Sequence, residues 1–135
     1  SYPWPKHGTI CDIGGGVGHL LAAILEQRPH ARGILLDTPE VLERADRFLR
    51  QQGLDDRIAT RAGDLFGQLD AHADVYTMKW ILHDWSDDAC RDILKSVRAT
   101  MPSGSKRVTS DQHHESARPN AFPPMADVIM HVFCE

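Results

Sequence analysis

Three groups of residues in this chain have the types and spacing to do chemistry. The first is the run Asp12-Ile13-Gly14-Gly15-Gly16-Val17-Gly18. Glycines let a backbone turn sharply, and they let a ligand approach a helix N-terminus with no Cβ in the way. Their spacing selects the ligand. A dinucleotide fingerprint starting at Gly14 needs its third glycine at position 19, where His19 stands. Acid-x-Gly-x-Gly-x-Gly does fit, from Asp12 through Gly14 and Gly16 to Gly18, and that is the S-adenosylmethionine pattern. The second group is a pair of carboxylates. Asp37 follows the glycines by about 20 residues, a distance at which an acid accepts hydrogen bonds from ribose hydroxyls. Asp64-Leu65-Phe66 suits an adenine, with the carboxylate on its exocyclic amine and Leu65 against the ring. The third is His83, inside Met78-Lys79-Trp80-Ile81-Leu82-His83-Asp84-Trp85-Ser86-Asp87. A histidine's unperturbed pKa suits proton abstraction near neutrality.

Each group has a plainer reading: a tight turn, a solvated aspartate, a hydrogen-bonded structural histidine. The elements that must position them argue against it. Gly8 to Ile13 is apolar and β-prone, and Val17 to Arg28 carries Leu20, Leu21, Ile24 and Leu25 at helical spacing. Arg32 to Asp37 is a second buried strand. Thr38 then caps a helix whose first residue is Pro39 and which stops at Gly53. Arg57 to Ala62 and Ala73 to Trp80 are the third and fourth strands, and Ser86 caps the next helix. Strands alternating with helices imply right-handed crossovers and a parallel sheet covered on both faces. The carboxylates, the glycines and His83 then all fall at the C-terminal ends of strands, the edge where such sheets bind ligands. A fifth strand, near Arg107 to Asp111, is so polar that it either sits at an edge or is badly packed. His113 to Pro124 reads as a loop, and Met125, Val128, Ile129 and Val132 have the spacing of a further helix.

Together, Asp12-Ile-Gly-Gly-Gly-Val-Gly, Leu36-Asp37-Thr-Pro, Gly63-Asp64-Leu-Phe and Lys79-Trp-Ile-Leu-His83-Asp-Trp-Ser-Asp resemble four ordered motifs of one family. It is that of the small-molecule O-methyltransferases of the plant caffeate, isoflavone and hydroxyindole type, with bacterial and fungal relatives. The resemblance implies an α/β fold, the class I methyltransferase Rossmann-like three-layer sandwich, here with about five strands of its parallel sheet. It makes residues 1–135 part of an S-adenosylmethionine-binding catalytic domain. The family's N-terminal dimerisation domain and last strands are expected to be absent, and the full-length protein is expected to be a homodimer. By the same resemblance His83 is the base and Asp111 its acidic neighbour, one methylene shorter than the family's usual glutamate. Cofactor contacts fall on Gly14, Asp37, Asp64, Leu65 and Lys79. Trp80 and Met130 are the acceptor-facing candidates, Met130 on a helix beginning near Asp127.

Bulk properties narrow the alternatives. The chain has 135 residues, 41% apolar and 25% charged, with a net charge of −4, so nucleic acid is not expected as a partner. No apolar run nears the roughly 20 residues of a membrane helix. Three scattered cysteines suggest a reducing, cytoplasmic setting. His113-His114-Glu115 and His131 with Cys134 lack the spacing of metal ligands, so no metal is expected. The expected reaction is methyl transfer from S-adenosylmethionine to a hydroxyl of a small, aromatic acceptor. The competing readings are a non-catalytic cofactor-binding relic or interaction module, and a nicotinamide-dependent oxidoreductase, which His19 disfavours.

Overall fold

Alternation along β1 (His7–Ile13) dictates the layers around it. Ile10 packs into one apolar cluster and Cys11 and Ile13 into another, all three with no solvent exposure. A strand buried on both faces needs cover above and below. The first face receives Leu21 and Leu25 of α1 (His19–Glu26) and Leu42, Ala45 and Leu49 of α2 (Pro39–Gln51). The second receives Ile93 and Val97 of α3 (Asp87–Thr100), together with Leu69, Ala71 and Ala73 from the segment entering β4 (Val75–Lys79). With β2 (His30–Asp37), β3 (Ile58–Ala62), β5 (Lys106–Ser110) and β6 (Met130–Cys134), the sheet has six strands in the order β3-β2-β1-β4-β5-β6. The computed structural model describes residues 4–64, 66, 67, 69–79, 86–101, 106–110 and 130–134.

β1 to β5 are mutually parallel, which makes this the expected α/β sandwich. The buried Tyr76 and the half-buried Arg57 tie connections to the layers. The Tyr76 hydroxyl donates to Ala71 O at 2.7 Å and accepts from Ala73 N at 2.9 Å, fixing the entry to β4. Arg57 Nη2 donates to Leu25 O, Arg28 O and Ala31 O at 3.1, 2.6 and 2.9 Å. A cation on the Leu25 carbonyl, in the last turn of α1, also complements that helix's dipole.

Four expectations need correction. Residues 130–134 are strand, not helix: β6 runs antiparallel to β5, pairing Val108 with Val132 and Arg107 with Phe133. A short apolar run has no decisive period, and pairing with a neighbour overrides its helical spacing. For the same reason β5 is not an edge strand, since β6 lies outside it. α1 starts at His19 rather than Val17, because Gly18 at φ 100° lies outside the helical region. Thr38 holds the N-cap position of α2 without a side-chain cap, whereas Ser86 Oγ does accept from Ala89 N at 3.2 Å. The expected loop from His113 to Pro124, and the predicted helix start from Met125 to Ile129, lie outside the described residues.

Candidate functional site

All five parallel strands end at one edge, and the chain switches direction across the sheet between β1 and β4. The crevice above that switch is where an open α/β sheet takes its ligand. The glycine turn forms its floor. Gly14, Gly16 and Gly18 have φ of 64°, 62° and 100°, which residues with a Cβ rarely adopt. A Cβ on Gly16 would meet nothing within 4 Å, so this backbone borders open space. Gly15 is needed for a different reason. A Cβ there would overlap Leu35 Cδ1 and lie 2.5 Å from Asp12 Oδ2. The turn thus sits directly on the ends of β1 and β2, and Gly14 N donates to Leu36 O at 2.7 Å.

Asp37, the last residue of β2, closes the turn from the side. Its Oδ2 accepts from Gly16 N at 2.8 Å and its Oδ1 from Thr38 N at 2.7 Å. An ionised carboxylate has about four acceptor positions, so two remain for a ligand's hydroxyls. Asp64 lies next door, since Gly63 N donates to Asp37 O at 3.2 Å. Asp64 is exposed, and its Oδ1 accepts from Phe66 N at 2.9 Å, a local turn that holds the acid at the rim of the sheet. Asp12 is placed differently. It is 1% exposed, beneath the turn, and its Oδ1 accepts from Thr77 Oγ1 at 2.6 Å. Lys79 closes β4 and Met130 opens β6. Leu65, Trp80, His83 and Asp111 lie outside the described residues.

Two neighbours escaped the sequence reading. Gly15 carries no positive φ, and only the packing of Leu35 and Asp12 shows why it cannot be larger. Thr77 left a faint signal, a hydroxyl at an inward position of the strand Val75-Tyr76-Thr77-Met78. Beside them, burial pushes the Cys11 thiol from 9.0 up to about 12, with the Asp12 charge adding to the effect. A thiol held so firmly protonated is a packing residue and not a nucleophile. His19 turns its ring against Phe48 of α2, centroids 4.4 Å apart.

Residues 4–132 match the family described as the O-methyltransferase domain. The phenazine O-methyltransferase PhzM of Lysobacter antibioticus is 42% identical over 106 residues, covering 78% of this chain and 31% of that protein. The structure of the mitomycin 7-O-methyltransferase MmcR aligns with a TM-score of 0.82 at 40% identity, over 90% of this chain and 35% of the other. The O-methyltransferase NcsB1 from neocarzinostatin biosynthesis was solved with S-adenosylmethionine and 2-hydroxy-5-methyl naphthoic acid. It aligns with a TM-score of 0.77 at 32% identity, over 82% of this chain and 34% of that one. The chain spans about a third of the length of the curated relatives it matches.

Proposed function

We propose, because the chain belongs to the O-methyltransferase domain family, that it is the cofactor-binding part of an enzyme that methylates a hydroxyl of a small aromatic molecule. The observation that carries this reading is the open glycine turn with the Asp37 carboxylate fixed on Gly16 N at 2.8 Å. When bound, S-adenosylmethionine supplies an electrophilic methyl group on a sulfonium. The described residues fit it: Asp37 offers free acceptor positions to ribose hydroxyls and Asp64 an acid to adenine, with the next residue, Leu65, proposed to pack against the ring. Gly16 keeps a side chain out of the crevice, and Gly14 and Gly18 supply the positive φ that the turn needs. Asp12 supports the turn from below, and Lys79 stands at the end of the strand across the switch point.

His83 takes the acceptor's hydroxyl proton, and Trp80 and Met130 flank the acceptor. A phenol near pKa 10 and a histidine near 6.5 differ by about 3.5 units, roughly 5 kcal/mol against full transfer. Asp111 narrows that gap by stabilising the imidazolium. The reading uses no metal, since the proton goes to a side chain. The whole protein is proposed to act as a cytoplasmic homodimer.

Calorimetric titration of the protein with S-adenosylhomocysteine, and with NAD for comparison, tests the reading. Saturable binding of the first and none of the second is expected. Binding of NAD, or no binding of S-adenosylhomocysteine, overturns it.

A further inference from the structure

A carboxylate with 1% exposure is expensive to bury unless its oxygens find donors. Asp12 meets that demand across the switch point of the sheet. It is the register partner of Thr77 on β4, and both side chains lie on the sheet face that carries Ile10 and Val75, toward α1 and α2. Thr77 is itself 2% exposed, and its hydroxyl donates to Asp12 Oδ1 at 2.6 Å, the length of a charge-assisted bond. The other oxygen, Oδ2, reaches to 2.5 Å from the place where a Gly15 Cβ would stand. One carboxylate therefore faces a hydroxyl on one side and the underside of the glycine turn on the other. An apolar pair would fill the same space at lower desolvation cost.

We propose that Thr77 is a positioning residue for the cofactor crevice. Its hydroxyl orients the Asp12 carboxylate, which in turn sets the height and shape of the Gly14–Gly16 backbone against which S-adenosylmethionine binds. This rests on the proposed function and deepens it. Thr77 touches no reacting atom, so it acts on cofactor affinity and not on the methyl-transfer step.

The test compares Thr77→Val, which keeps the shape and deletes the donor, with Thr77→Ser, which keeps the donor. Affinity for S-adenosylhomocysteine is measured by calorimetry, and thermal unfolding is followed alongside. Loss of a hydrogen bond to a charged group predicts about a tenfold or greater loss of affinity in Thr77→Val. Thr77→Ser should stay within about threefold of the parent, and Thr77→Val in the Asp12→Asn background should add little further loss. Unchanged affinity in Thr77→Val, with only a lowered melting temperature, reduces the bond to a structural one and overturns the proposal. Equal losses in the Ser and Val variants overturn it too. If Thr77→Val does not fold, Thr77→Ala replaces it with the same expected contrast to Ser. Failure of the parent protein to bind S-adenosylhomocysteine sinks the functional reading itself, a result distinct from any pattern among the variants.

Discussion

Asp37 does two jobs with one carboxylate. It holds the glycine turn through Gly16 N, and in the proposed function its remaining acceptor positions take the ribose hydroxyls. Asp37→Ala should therefore weaken S-adenosylhomocysteine binding by about tenfold or more, since hydrogen bonds to a charged acceptor are lost. Equal calorimetric affinity in the two proteins would remove Asp37 from the site. His83 makes a contrasting case. If His83 is the proposed base, His83→Ala should lower turnover in the complete enzyme by about 10²–10⁴-fold and leave cofactor affinity nearly unchanged, because a base acts on the acceptor. Acceptors with more acidic phenols should recover part of that loss. Rates flat across acceptor acidity would leave His83 as a residue that only positions the acceptor.

At the scale of elements, the turn joining β1 to α1 separates two reasons for glycine. Gly15 is hemmed in by Leu35 and Asp12, whereas Gly16 sits at φ 62° beside open space. Gly15→Ala overpacks a buried junction and should lose about 1–3 kcal/mol of stability. Gly16→Ala should lose about 1–2 kcal/mol from its left-handed backbone. Its new methyl group projects toward the crevice, so cofactor affinity should suffer more than the melting temperature does. Paired urea melts and cofactor titrations check the crossover: Gly15→Ala is the less stable variant and Gly16→Ala the weaker binder. The same ranking in both measurements would mean that the turn responds as one unit.

For the whole molecule, the buried strands set an alkaline limit. Burial pushes the Cys11 thiol to about 12 and raises the Tyr76 phenol as well. Between pH 9.0 and about 12 an unfolded Cys11 loses its proton while the folded one keeps it. The folded state then binds more protons, so stability falls as pH rises through that window. Below it both states are protonated, and this thiol contributes no pH dependence. Urea melts at pH 8, 9.5 and 10.5 should show the decline, and Cys11→Ala should make it shallower, leaving the part due to Tyr76. In the native protein Cys11 should resist iodoacetamide until the chain unfolds.

Much of the fold and the placement of half of the candidate site were legible because their information is local. Apolar periodicity, glycine spacing and the Pro39 and Ser86 helix starts place β1 to β5, α1 to α3, the glycine turn, Asp37 and Asp64 at one sheet edge. Each of those signals lies within a few residues of the feature it specifies. Other features depend on partners far along the chain. Thr77 meets Asp12 across 65 positions, Arg57 ties down the α1–β2 connection from 26 to 32 residues away, and β6 owes its strand conformation to β5. Gly15 is fixed by a leucine on the next strand. No local pattern encodes which side chains a sheet brings into contact, so the support beneath the cofactor crevice was decided by the tertiary structure alone.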